Sequence, residues 1–146
     1  MTLQSSEVYL ASPSSNLYLS QLQLLRRKYR TVHTRYFDQW KLGPNSLGKI
    51  KAGTGAGAGK PKLIVLNVAN YPATIGYSQP EIETIVGHLR ELDAFLVQDE
   101  GDAFTDLGSA LPTYSDKTIV ISKVPSVEVA YAIFPPTLSE AVTVLQ

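Results

Sequence analysis

Four carboxylates crowd one short stretch of the second half of the chain: Asp99, Glu100 and Asp102 in the run QDEGD, and Asp106 in AFTDLGSA. Carboxyl groups that share a site push one another's pKa values apart, so one can stay charged as nucleophile or base while a neighbour serves as acid. The flanking residues read as an apolar strand over Asp93 to Gln98, an acidic loop over Asp99 to Asp102, a short helix over Phe104 to Leu111, and another strand over Thr118 to Ser122. That order places Asp106 in the first turn of a helix beside the carboxyl edge of a sheet. A carboxylate there faces an open crevice and can act as nucleophile or base. Gly108 and Ala110 leave room for the helix to lie close to the sheet. The plainer reading of the same acids is that the positive end of a helix attracts negative charge.

Other chemistry is excluded or weakened by composition. The chain has 146 residues, no cysteine and two histidines, His33 and His88, so a disulfide framework, a zinc knuckle, a thiol nucleophile and a His-rich metal site are all ruled out. No apolar run approaches the roughly 18 residues that span a bilayer. The first residues, Met1 to Glu7, lack the basic start and apolar stretch of a secretion signal, so a cytoplasmic location and no membrane partner are expected. The glycine stretch Gly53 to Lys62 invites a phosphate-loop reading but fails it. Gly59-Lys60 is followed by Pro61 rather than a hydroxyl residue, Thr54 stands where the first glycine belongs, and the stretch precedes a strand instead of following one. It is expected to be a flexible connection, within a break over about residues 43–61. The run LLRRKYRTVHTRYF mixes cations with aromatics that could stack on bases. These aromatics read better as sheet residues, and nucleic acid is not expected as a partner.

The formal charge is zero, yet the halves differ: Met1 to Lys62 holds ten basic and two acidic residues, and Leu63 to Gln146 holds three basic and eleven acidic. Two halves lying side by side in one fold would neutralise each other. The remaining elements follow from pattern. EVYLA, Glu7 to Ala11, is a buried strand closed by SPSS. Asn16 caps an amphipathic helix with Leu17, Leu19, Leu22, Leu24 and Leu25 on its apolar face, ending in the cations Arg26 to Arg30. Thr31 to Phe37 is a strand, and Lys62 to Ala69 is the most apolar strand in the chain. Ser78 caps a helix with Pro80 and Glu81 in its first turn and Ile82, Ile85, Val86 and Leu89 buried. Val129 to Phe134 is a last strand, and Thr137 to Gln146 a closing helix. Strands alternating with helices predict one α/β domain over residues 1–146: a Rossmann-like (flavodoxin-like) three-layer sandwich with a mostly parallel central sheet. Ligands of such sheets bind beyond the carboxyl ends of the strands, so the loops SPSS, QDEGD and SKVPS are the places to look.

The order of these pieces resembles the nucleoside 2-deoxyribosyltransferase family. Val8-Tyr9-Leu10-Ala11-Ser12-Pro13 is similar to its first strand, Leu92-Asp93-Ala94-Phe95-Leu96-Val97 to a strand opened by aspartate, and Ala103 to Ala110 with Lys117 to Val120 to its catalytic helix and following strand. About Arg35 to Ser78 has no match. The resemblance implies cleavage of a nucleoside or nucleotide N-glycosidic bond, or deoxyribosyl transfer, by a carboxylate nucleophile. Asp106 matches the family's catalytic glutamate, one methylene shorter; Tyr9 matches the tyrosine that places it; Asp99 or Glu100 matches the acid near the base. Ser12, Asp93, Glu100 and Asp102 would bind substrate, with Ser12 standing where the family has glycine. No cofactor is expected. A nucleoside or nucleotide is the expected partner, in a homo-oligomer. The alternative is a non-catalytic binding or interaction module on the same scaffold, in which Asp106 merely caps a helix.

Overall fold

The computed structural model describes residues 7–50, 61–69, 76–102, 108–123 and 130–138. Two apolar runs form its centre, β3 (Lys62–Asn67) and β4 (Ala94–Asp102). Ile64, Leu66 and Leu96, which face one side, are at most 1% exposed, and Val65, Phe95 and Val97, which face the other, are at most 8% exposed. Burial of both parities is the condition of a strand covered on both faces. Outside β3 lie β1 (Glu7–Ser12) and then β2 (Tyr29–His33). Outside β4 lie β5 (Thr118–Lys123) and then β6 (Ala130–Ile133). The first five strands are parallel and β6 is antiparallel to β5, so the sheet is mixed and mostly parallel.

Helices cover the two faces. Ile64 and Leu66 pack with Ile82, Ile85, Val86 and Leu89 of α3 (Gln79–Glu91) and with Leu47 of α2 (Pro44–Leu47). On the opposite face Val8, Leu10, Val65, Phe95, Val97 and Ile119 pack with Tyr18, Leu19 and Leu22 of α1 (Asn16–Leu24). The start of α3 follows its sequence signals. Glu81 Oε2 accepts from the Ser78 N–H and from the Ser78 hydroxyl, both at 2.8 Å, and Lys41 Nζ donates to Glu81 Oε1 at 2.9 Å. That ion pair ties α3 to the chain that leaves β2.

Several elements depart from expectation. The first helix ends at Leu24 rather than among the cations, its cap residue is Ser15, and Leu17, Leu24 and Leu25 are 60%, 83% and 67% exposed. The chain turns at Arg26, whose φ is +50°, because β2 must already pair at Tyr29 with Val8. Within the expected break over residues 43–61, Pro44–Leu47 forms α2 with Ser46 and Leu47 buried, while residues 51–60 lie outside the described residues. The expected acidic loop is the end of β4: pairing with β5 continues to Asp102 opposite Lys123, across a register shift between Asp99 and Gly101 where Gly101 takes φ +58°. Of the helix expected over Phe104 to Leu111, residues 103–107 lie outside the described residues, and Gly108 to Ala110 are not helical; α4 (Leu111–Tyr114) begins where it was expected to end. The chain between β5 and β6 is too short for the dozen or more residues of a parallel crossover, which accounts for the antiparallel last strand. Residues 139–146 of the expected closing helix also lie outside the described residues.

Gly108 is where the loop before α4 touches α3. Its N–H donates to the Tyr77 carbonyl at 2.8 Å, and a Cβ there would stand 2.7 Å from both Ile82 Cγ1 and the Ser78 carbonyl oxygen. Gly108→Ala is expected to cost about 1–3 kcal/mol of stability, read as a lowered thermal midpoint by circular dichroism. Acid should act through Glu81. Burial opposes its ionisation, but the Lys41 ammonium and the Ser78 donors outweigh this and hold the carboxyl below its ordinary value of 4.5. A carboxylate depressed in the folded state stabilises the fold above its unfolded pKa and loses that contribution as pH falls through the folded value. Chemical-denaturation midpoints should therefore hold from neutrality to about pH 5 and fall below it, with the fall reduced in Glu81→Gln.

Candidate active site at the carboxyl edge of the sheet

Side chains alternate across a strand, so the residues that close the apolar runs share the face of the run's own parity. Val8 and Leu10 lead to Ser12, Val65 to Asn67, Phe95 and Val97 to Asp99, and Ile119 and Ile121 to Lys123, all on the side that α1 covers. Asn67 and Asp99 are direct register neighbours, and Lys123 lies at the tip of the next strand, paired in register with Asp102. An amide, a carboxylate and an amine thus line one rim.

Tyr18 of α1 reaches this rim, and its hydroxyl donates to Asp99 Oδ2. Burial first, and this hydrogen bond second, push the Tyr18 phenol well above its ordinary value, so it stays a donor at any physiological pH. Asp99 Oδ1 accepts the Gly101 N–H at 2.9 Å, an arrangement that the register shift at Gly101 makes possible. Asn67 Oδ1 is buried and has no hydrogen-bond partner. A buried acceptor left so is uncommon and marks a place where a donor belongs.

The expected site residues do not gather as a group. Tyr9 packs into the layer on the other face, and its hydroxyl donates to Glu7 Oε2 at 2.6 Å; burial, then that bond, push its phenol up to about 12. Asp93 sits at the opposite end of β4 from Asp99, in a turn with φ +52°, bound by Lys117. Glu100 Oε1 accepts from Gln98 Nε2 at 3.0 Å, on the face away from Asp99. Ser12 closes β1 on the Asp99 side, and its carbonyl accepts from the Thr34 hydroxyl at 2.8 Å. Asp102 is the last residue of β4, and Asp106 lies outside the described residues. Of the expected set, Ser12 and Asp99 lie on the rim described here, whereas Tyr9, Asp93 and Glu100 do not.

Sequence reasoning missed Tyr18, Asn67, Lys123 and the fully buried Gln98, whose Oε1 accepts the Ala110 N–H at 2.8 Å and anchors the chain entering α4. The signal for Asn67 and Lys123 was present: each is a polar residue that continues the parity of an apolar run, in LIVLN and TIVISK. Nothing local signals Tyr18, because its partner is 81 positions away. Tyr18→Phe removes the donor to Asp99 Oδ2 and is expected to cost about 1.5–3 kcal/mol, the range for hydrogen bonds to charged groups, measured as a lowered urea midpoint with unchanged slope.

No family model and no curated protein matches the chain. Solved structures do. The chain superposes on a double mutant of Thermus thermophilus aspartate aminotransferase with TM-score 0.79 at 19% identity, over 97% of this chain and 38% of that one. It superposes on the aromatic aminotransferase of Pyrococcus horikoshii OT3 with TM-score 0.77 at 17% identity, over 97% and 40%. The PLP-bound C–S lyase of Staphylococcus hominis gives TM-score 0.77 at 14% identity, over 98% and 40%. The chain thus spans 38–40% of the length of these three structures. The expected likeness to nucleoside 2-deoxyribosyltransferases is overturned, and with it N-glycosidic cleavage, deoxyribosyl transfer, hydrolase chemistry, a place in nucleotide metabolism and the nucleoside or nucleotide partner; the non-catalytic alternative gains no support either. The misreading has a physical origin: an apolar strand, a polar loop and a small-residue helix start recur wherever a parallel sheet is built, whatever its ligand. Among the described residues no helix is long and apolar enough to cross a membrane. The α/β sheet that carries Asn67, Asp99 and Lys123 on one rim has the fold found in these aminotransferases and in this C–S lyase.

Proposed function

We propose that this chain is the sheet-bearing part of a pyridoxal-phosphate enzyme acting on amino acids, with the cofactor at the carboxyl edge of the sheet. The observation that carries the reading is the rim itself: Lys123, Asp99 and Asn67 on one face of a fold shared with aminotransferases over 97% of the chain. Pyridoxal phosphate calls for an amine for its aldehyde and an acidic partner for its ring nitrogen, and Lys123 and Asp99 are of those types. Its phenolate oxygen calls for a donor, and the side-chain amide of Asn67, whose Oδ1 is orphaned in the strand adjoining Asp99, carries N–H groups of that type. The residues present therefore fit the ring and aldehyde of the group. Bound there, the cofactor supplies an electron sink for the carbon beside an amino group.

The chain's own residues divide the remaining work. Asp99 would face the ring nitrogen and hold a proton there, while Tyr18 and the Gly101 N–H fix the direction of the carboxylate. Tyr18 is a positioning residue, held over the rim by the packing of Leu19 and Leu22 of α1. The strand order β2-β1-β3-β4-β5 is that of flavodoxin-like sheets. We read the whole as one Rossmann-like, three-layer domain, with the rim at its ligand-binding edge.

The test is covalent trapping. The chain is mixed with pyridoxal phosphate, reduced with borohydride and mapped by peptide mass. Labelling concentrated on Lys123, lost in Lys123→Ala and weakened in Asp99→Asn, is the expected result, with circular dichroism confirming that both variants fold. Label spread evenly over the chain's lysines would overturn the reading.

A further inference from the structure

A cavity lies on the other face of the sheet from Asp99, between the turn that follows β2 and the first turns of α3. It measures about 310 Å³, and its walls include Phe37, Asp38, Lys41, Tyr77, Glu81 and Thr84. It has no part in the rim that holds Asp99, since α3 covers the opposite face of the sheet.

Its charge is set by pairing. Lys41 Nζ donates to both oxygens of Glu81, at 2.9 and 3.1 Å, and lies 5.6 Å from the centre of the Tyr77 ring. The one ammonium in the wall is therefore already satisfied and has little left for an anion. Asp38 has no cation paired with it among the described residues. The cavity thus carries one net negative charge, from a carboxylate available to a ligand.

Its mouth is aromatic. Phe37 is 93% exposed and lines the opening. The Phe37 ring lies 6.1 Å edge-on from Tyr36, which in turn lies 6.5 Å from Trp40. Gln39 and Trp40 both take left-handed conformations, with φ of +52° and +57°. Such residues are uncommon and strained, and they cluster where structure serves binding. Here the turn is locked by four hydrogen bonds: Asp38 and Trp40 N–H to the Arg35 carbonyl, Gln39 N–H to the Tyr36 carbonyl and Lys41 N–H to the Asp38 carbonyl. The lock presents a ring and a carboxylate side by side.

We propose that this cavity binds an organic cation with an apolar body, an arylalkyl ammonium or a guanidinium, with its charge on Asp38 and its body against Phe37. An aromatic face attracts a cation through its quadrupole, and a carboxylate accepts a charge-assisted hydrogen bond from it. The size of the cavity, at the lower end for ligand sites, suits a single ring or one long side chain. A free amine and a lysine or arginine side chain of a peptide share this chemistry.

The chain's single tryptophan, Trp40, stands two rings from the mouth and reports on it. Trp40 fluorescence and calorimetry are followed during titration with benzylamine, its neutral counterpart benzyl alcohol, benzoate, and N-acetylarginine amide. Saturable binding of a cation, at least about tenfold tighter than benzyl alcohol, with no binding of benzoate, is the expected result. Asp38→Asn should remove that preference, and Phe37→Ala should weaken the cations several-fold, while circular dichroism shows both variants folded. Tighter binding of N-acetylarginine amide than of benzylamine identifies a peptide side chain as the source, and the reverse a free amine; either supports the site. Equal binding of benzyl alcohol, unchanged cation binding in Asp38→Asn, or no saturable response to either cation would overturn it.

Discussion

Burial of β3 and β4 on both faces constrains every other feature of this molecule. Ile64 and Leu66 lie against α3 while Val65 and Val97 lie against the α1 side, so both strands bury apolar side chains on both faces until their carboxyl ends are reached. At roughly 25 cal/mol for each Å² of apolar surface removed from water, exposing either layer would cost more than any hydrogen bond at the periphery returns. Polar chemistry is pushed to the strand tips, and the two-residue alternation then decides which tips meet. Asn67, Asp99 and Lys123 share a face because each continues the parity of an apolar run buried under α1.

The edge is also where the backbone departs from regularity. The register shift in β4 falls between Asp99 and Gly101, and the Gly101 N–H turns to the Asp99 carboxylate. Gln98, one residue earlier, faces the other way and is fully buried, with both ends of its amide engaged by Ala110 and Glu100. Neighbouring residues of one strand thus do two jobs: Gln98 anchors the chain that enters α4, and Asp99 faces the rim. The turn after β2 shows the same economy, since Lys41 ties α3 to β2 through Glu81 while the adjoining residues hold Phe37 out over a cavity.

The nucleoside reading failed at the step from pattern to partner. VYLASP, DAFLV and DLGSA mark where strands end and helices begin, and they are shared by sheets that bind unrelated ligands. Asp99 was singled out as one of several crowded acids and, by resemblance, as an acid near a base; it lies on the rim because it directly follows an apolar run. Tyr9 and Asp93 were chosen by resemblance, and the structure puts one on the opposite face and the other at the opposite end of its strand. Lys123 stood in the SKVPS loop already singled out as a strand end, but a lone lysine there has no meaning until the neighbouring strand supplies a carboxylate on the same side.

Local pattern was enough to mark α3 and the most apolar strands, because those depend on apolar periodicity and on capping residues such as Ser78 and Glu81; the strand expected over Thr31 to Phe37 instead spans Tyr29–His33, and Tyr36–Asp38 form a 3-10 turn. It could not specify the end of α1, the extension of β4 through Asp102 or the direction of β6, since each answers to a partner strand distant in the chain. The rim is of the second kind. Tyr18 meets Asp99 across 81 positions, and only the winding of the chain around a sheet buried on both sides brings a phenol, an amide, a carboxylate and an amine to one edge.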